Sequence, residues 1–292
     1  MVEMDTLARK IRLPGGRYLG YFEYGDPNGY PIFHFHGFPG SRLEGALFAE
    51  AARSKGILLI AVDRPGMGLS DFQPDRAVLD WPADVAMLAD HLGIQNFGVE
   101  GFSGGSQYAC ACAYALPYRV TTCSLVSGAG PADPSSLDLT TPHAAAMVEL
   151  GCQHAADQWA RDYKDATSAD ASLARTWSKV FPGHPDAKLK EIAWVRHIFA
   201  VNFSEAFRQG SQGEGRDGIL RVIPWGFGPE DLSPDIPVFL WHGEQDGNVP
   251  ASVARSVAST IPHCKARFFP SEGHVSLVVH HAPEFFQVLV NR

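Results

Sequence analysis

Asn96-Phe97-Gly98-Val99-Glu100 runs into Gly101-Phe102-Ser103-Gly104-Gly105, and Gln107-Tyr108-Ala109-Cys110-Ala111-Cys112-Ala113-Tyr114 follows. The first stretch alternates like a short strand, and the last is a small-residue run of helical character. Between them, G-x-S-x-G marks a sharp strand-to-helix turn. A serine at such a turn sits on a strained bend that pushes its Oγ out of the fold. The positions two before and two after it must be small, because the two backbones crowd there. Gly101 and Gly105 meet that requirement. Ser103 is thus a candidate nucleophile, provided that a base, an acid and a pair of N–H donors can be found for it.

The segments around this turn alternate. Arg17–Tyr24 and Pro31–His36 read as strands, Leu43–Lys55 as a helix, Gly56–Val62 as a buried strand and Trp81–Leu92 as a helix. Another strand follows the turn at Val120–Val126. Such alternation implies an α/β fold with a mostly parallel sheet covered by helices. From Pro131 to Gly228 the period is helical and no strand is evident, with Ala144–Ala160, Ala171–Phe181 and Ala187–Phe207 as the candidate helices. Strands resume at Pro237–Trp241 and Ala266–Phe269, separated by a helix over Ala251–Ile261 and followed by a last helix over Pro283–Val290. The expected organisation is a core of residues 1–130 and 229–292 interrupted by a helical cap, 131–228.

The chain has 292 residues, 45% hydrophobic and 19% charged, enough for one domain with an insertion and a large core. Its net charge of −8 and lack of a Lys/Arg cluster argue against a nucleic-acid partner. No apolar run reaches membrane-spanning length. The first residues, Met1-Val2-Glu3-Met4-Asp5, carry acid where a signal core would be apolar, so a cytoplasmic location is expected. The five cysteines form no C-x-x-C pair, and buried free thiols are expected. His34 and His36 share one strand face, but no third ligand is evident, so no metal and no cofactor is implied.

Four blocks in order now carry a resemblance: His36-Gly37-Phe38-Pro39-Gly40-Ser41-Arg42, then Asp63-Arg64-Pro65-Gly66-Met67-Gly68-Leu69-Ser70, then the turn at Ser103, then His242-Gly243-Glu244-Gln245-Asp246 with Gly273-His274. The chain resembles the α/β-hydrolase fold superfamily over nearly its whole length. That resemblance implies an eight-stranded, mostly parallel α/β-hydrolase sheet with helices on both faces and the cap inserted after the sixth strand. It implies a serine hydrolase with a triad in the order Ser103, Asp246, His274. Glu244 is the rival acid, and the His280-His281 pair is the rival base. The implied oxyanion donors are the backbone N–H groups of Phe38 and Gly104. The Asp63–Ser70 block resembles a bracing loop with no chemistry of its own.

Glu100 is the unusual residue. It lies in a strand covered on both faces, where a carboxylate needs a partner. In the implied strand order its neighbours include His34, and Arg42 or Arg64 are the other candidates. Substrate contacts are expected from Phe102, Val249, Val275, Trp225 and Phe227. Such a wall suits a small or medium-sized, largely apolar, neutral ester or lactone as the small-molecule partner. The same triad also serves C–C bond hydrolases, perhydrolases, hydroxynitrile lyases and aminopeptidases. It also occurs in receptor-like binding proteins with a slow triad, and fold alone does not separate these.

Overall fold

The computed structural model describes residues 9–128, 142–177 and 183–290. Eight strands form one sheet: β1 (Arg9–Arg12), β2 (Tyr18–Gly25), β3 (Tyr30–Phe35), β4 (Ile57–Val62), β5 (Phe97–Phe102), β6 (Val120–Val126), β7 (Val238–Gly243) and β8 (Lys265–Phe269). Their spatial order is β1-β2-β4-β3-β5-β6-β7-β8. The first two strands pair antiparallel, and β3 to β8 are parallel. The central strands read as continuous apolar runs because both faces are covered; Ile57, Leu59, Ile60, Ala61 and Val62 are fully buried.

The helices α1 (Ala49–Ser54), α2 (Trp81–His91) and α3 (Ser106–Ala115) connect the first six strands. Four more, α4 (Pro142–Asp162), α5 (Ala166–Trp177), α6 (Ala193–Ala206) and α7 (Gln212–Val222), stand between β6 and β7, so the helical insertion follows the sixth strand as expected. The helices α8 (Ala251–Thr260) and α9 (Ser276–Val290) complete the order. The expected cap start at Pro131 and the expected helix end at Phe181 lie outside the described residues. Among the described residues no helix is long and apolar enough to cross a membrane.

Several elements differ from the sequence reading. The stretch read as one helix from Leu43 divides into a 3-10 turn, Arg42–Leu47, and α1. Arg42 and Glu44 are turned inward and fully buried, where an amphipathic helix would have put apolar groups. The last helix starts at Ser276 and carries Pro283 inside it. Its first turn is capped from the insertion, by Asp186, which accepts the N–H groups of Val275 and Ser276.

The helix α7 has no counterpart in the sequence reading. Gly213, Gly215 and Gly218 depress its intrinsic propensity, yet the packing is close at Gly213 and Gly218. A Cβ on Gly213 would lie 2.5 Å from the Gly66 carbonyl oxygen, and one on Gly218 would crowd Cys152 at 3.2 Å. Tertiary contact overrides propensity here, and α7 settles flush between α4 and the loops at the carboxyl edge of the sheet. In open parallel sheets that edge is where ligands bind.

Candidate active site

The turn at Ser103 has the geometry expected of it. Ser103 is held at φ +51°, the left-handed region that non-glycine residues rarely occupy. The crowding is real: a Cβ on Gly101 would lie 2.5 Å from the Gly105 carbonyl group, and one on Gly105 would overlap the Phe35 carbonyl oxygen. The Ser106 hydroxyl ties the bend by donating to the Gly101 carbonyl at 3.0 Å. Ser103 is therefore fixed where β5 crosses into α3, and its side chain remains partly exposed.

His274 and Asp246 are brought together. The His274 Nδ1–H donates to Asp246 Oδ2 at 2.7 Å, which fixes the tautomer and leaves Nε2 free to take a proton. Asp246 Oδ1 accepts the N–H groups of Asn248 and Val249, each at 2.8 Å. Burial would raise the Asp246 carboxyl, but the bond from His274 and these two backbone donors outweigh it and hold it below its ordinary value. The ring of Phe102, next to Ser103, lies 5.2 Å from the His274 ring. The rivals fall away: Glu244 is exposed and paired with Arg255. His280 and His281 sit within α9 against Glu272 and Glu284.

The two expected oxyanion donors are neighbours. A Cβ on Gly104 would lie 3.5 Å from the Phe38 nitrogen and 3.0 Å from its Cβ, so the His36–Phe38 loop and the start of α3 face each other across a gap that only glycine leaves open. That loop is anchored from behind. Arg64 donates to the carbonyls of His36 and Gly37, the latter at 2.9 Å. Its backbone N–H donates to His36 Nε2 at 3.2 Å. Glu44 accepts the Gly37 N–H at 2.8 Å. Burial, then the nearby Arg64 charge, hold His36 well below its ordinary pKa, so it is a neutral brace.

Glu100 pairs with His34, its register partner across β3 and β5. His34 also faces Glu44 at 3.4 Å, and all three side chains are buried. Burial alone would lower His34; Glu100 and Glu44 on either side reverse this and raise it to about 9. Burial raises the Glu100 carboxyl above its ordinary value in spite of His34. A buried cation between two carboxylates thus links the strand beneath Ser103 to the loop that carries Phe38.

The sequence reading missed the group that holds the base. Asp186 belongs to the insertion, in the 3-10 turn Pro185–Glu191. Its carboxylate accepts the N–H groups of His274 at 2.9 Å, Val275 at 3.1 Å and Ser276 at 2.8 Å. His184, two residues earlier, donates from Nε2 to the Gln245 carbonyl at 2.7 Å, beside Asp246. From the other side the Ser127 hydroxyl donates to the His274 carbonyl at 2.9 Å. One cap segment therefore fastens both the acid loop and the base loop. The only local sign was an aspartate just after a proline, a helix-start signature that says nothing about a distant partner.

Of the expected lining residues, Phe102, Val249 and Val275 surround the Asp246–His274 pair. Trp225 and Phe227 do not. Both pack in the core cluster around α2 and α3, and Phe227 stacks at 4.8 Å on Tyr114, at the end of α3 remote from Ser103. Ten residues of helix separate the two ends, roughly 15 Å. Proximity to the acid loop in sequence misled here, because the chain passes behind the sheet before β7. Among the described residues of the insertion, Trp159 packs edge-on against Phe38 at 5.3 Å.

Comparison with known proteins agrees with the fold. A family model for the alpha/beta hydrolase fold matches residues 30–281. A non-heme chloroperoxidase of Streptomyces lividans is 26% identical over 91% of this chain and 92% of its own. A 2-hydroxymuconate semialdehyde hydrolase of Pseudomonas putida is 24% identical over 90% of this chain and 86% of its own. A shorter match, 37% identical, joins 40% of this chain to the acetyltransferase component of the acetoin cleaving system of Pseudomonas putida, and it spans about a third (31%) of that protein. Among solved structures, the enol-lactonase of Burkholderia xenovorans superposes with a TM-score of 0.68 at 17% identity, over 97% of this chain and 98% of that one. The bromoperoxidase of Bacillus anthracis gives 0.70 at 20% identity, over 97% and 98%.

Two outcomes are expected. Asp186→Ala leaves three buried N–H groups without an acceptor, so kcat should fall about 10- to 100-fold with a smaller change in KM. Asp186→Asn, which keeps an acceptor, should recover part of the loss; ester kinetics on both variants check this. The second concerns pH. A His34 raised to about 9 when folded contributes stability that is complete below its ordinary value of 6.5 and is lost as pH rises through about 9. The raised Glu100 carboxyl acts in the same direction. Urea unfolding from pH 6 to 10 should show that decline, at up to about 1.4 kcal/mol per pH unit for each proton released. It should be shallower in Glu100→Gln.

Proposed function

The chain belongs to the alpha/beta hydrolase fold family, and from that premise we propose that it is a serine hydrolase cleaving a small or medium-sized, largely apolar carboxylic ester or lactone. The observation that carries this reading is the convergence of a left-handed Ser103, a His274–Asp246 pair and the facing Phe38 and Gly104 donors at one edge of the sheet. Each part is common, and together they make a site for acyl transfer.

In this mechanism the Ser103 Oγ attacks the carbonyl carbon while His274 Nε2 takes its proton. Asp246 keeps the proton on Nδ1 facing itself and stabilises the charged ring. The Phe38 and Gly104 N–H groups receive the developing oxyanion, with the start of α3 adding its dipole. His274 then protonates the leaving alkoxide and an acyl-Ser103 remains. A water, deprotonated by His274, attacks that ester; Ser103 regains its proton and the acid departs. The water-excluding surface comes from Phe102, Val249, Val275 and the Phe38–Trp159 pair. No cofactor takes part in these steps.

A second reading, hydrolysis of a carbon–carbon bond, is suggested by likeness to one relative, the 2-hydroxymuconate semialdehyde hydrolase. The same groups would serve it, with a carbanion as leaving group in place of an alkoxide.

A fluorophosphonate probe should label the wild-type protein and spare Ser103→Ala. A panel of 4-nitrophenyl esters of rising chain length, with lactones beside them, should show turnover that Ser103→Ala lowers by at least about 1000-fold. Equal labelling of wild type and variant, or turnover near zero across the panel, would remove the ester-hydrolase reading.

A further inference from the structure

The helix α7 turns one face to the core, marked by Glu214, Asp217, Gly218 and Arg221 at helical spacing. Three of these are accounted for. Glu214 accepts the Gly40 N–H at 3.0 Å. Asp217 takes Arg64 Nε at 2.7 Å, the Tyr108 hydroxyl at 2.6 Å and Arg76. Gly218 gives room to the tip of the Phe38 ring. Arg221, the fourth, is half-buried, and its guanidinium lies over the Phe38 ring, 4.7 Å from the centroid.

Arg221 differs from the other arginines around the site. Arg42 meets Asp63 and Glu205, and Arg64 and Arg76 share Asp217. Among the described residues Arg221 donates no hydrogen bond and meets no carboxylate. Asp217 and Glu214 act on it only through space; Asp217 is already shared by Arg64 and Arg76, and burial with Asp217 beside it pushes the Glu214 carboxyl up. Burial lowers the pKa of Arg221 in spite of the Asp217 charge on the same helix. A ring face offers such a cation partial relief but accepts none of the hydrogen bonds its donors can make in the guanidinium plane.

Phe38 links this cation to the chemistry. Its backbone N–H is the proposed oxyanion donor, and its ring is the surface on which the guanidinium rests. Only the Phe38 side chain separates Arg221 from that proposed donor. We infer that Arg221 is the anchor for a carboxylate on the substrate, so that the preferred ester or lactone is an acidic one, with its anionic group a few bonds from the reacting carbonyl. This deepens the proposed function and rests on it for the position of the carbonyl. It also amends the neutral substrate expected from the aromatic wall alone. Half-esters of succinate, glutarate and adipate carry such a group at increasing distance, and a guanidinium holds a carboxylate through paired N–H donors.

The test compares 4-nitrophenyl hemiglutarate with the neutral 4-nitrophenyl pentanoate. Wild type should favour the half-ester in kcat/KM by about tenfold or more. Arg221→Gln should lower kcat/KM for the half-ester at least about tenfold more than for the pentanoate, chiefly through KM, and Arg221→Lys should keep most of the preference. Preference for the neutral ester in wild type, or an equal loss on both esters in Arg221→Gln, would overturn the assignment. Calorimetric titration with glutarate separates this from the ester-hydrolase reading. Should neither ester turn over, glutarate binding that Arg221→Gln abolishes still upholds the anchor, and no binding to wild type overturns it.

Discussion

The structure depends on one steric constraint: β5 and α3 must cross at Gly101 and Gly105 so closely that no side chain fits between them. That crossing forces Ser103 into the left-handed region. It also decides what surrounds it. Phe35, at the end of the neighbouring strand, is pressed against Gly105, so the His36–Phe38 loop leaves the sheet directly over the start of α3. Phe38 and Gly104, the proposed oxyanion donors, are brought together by backbone packing, before any side-chain chemistry is considered.

Strain of this kind persists only where the surroundings over-determine it. Here they do so through buried charge. Arg64 and Glu44 hold the oxyanion loop, Glu44 is coupled through His34 to Glu100 on β5, and Arg64 is coupled through Asp217 to the cap helix α7. Buried ion pairs of this type add little net stability against an apolar core, yet losing one partner is costly because the other is left unpaired. In this chain they fix position. The cap is part of the same system: Asp186 and His184 fasten it to the loops of His274 and Asp246. The positions of Asp246 and His274 are thus mechanically joined to the insertion.

The core of the fold was legible in the sequence because local signals and global packing agree there. Alternation and apolar runs gave the strands from β2 to β8. The strained turn at Ser103 announced itself through its glycines, and Glu100 could be recognised as needing a partner from burial alone. What stayed hidden was held by long-range contact. The strand β1 is four residues with one buried side chain, too short for a period. The helix α7 carries glycines that count against a helix locally and are required by its neighbours. Asp186 contacts residues about 90 positions away, and nothing in its own segment points to them. Trp225 and Phe227 were placed by sequence distance from the acid loop, whereas the chain routes them behind the sheet.

The central claim is that Ser103 carries the acyl group. Rapid-quench mass spectrometry during turnover of a 4-nitrophenyl ester tests it most directly. The account predicts a burst of nitrophenol approaching one equivalent and a protein species heavier by the acyl group, located on the peptide that holds Ser103 and absent in Ser103→Ala. Steady turnover with no acylated species, or an adduct on any other residue, would contradict it.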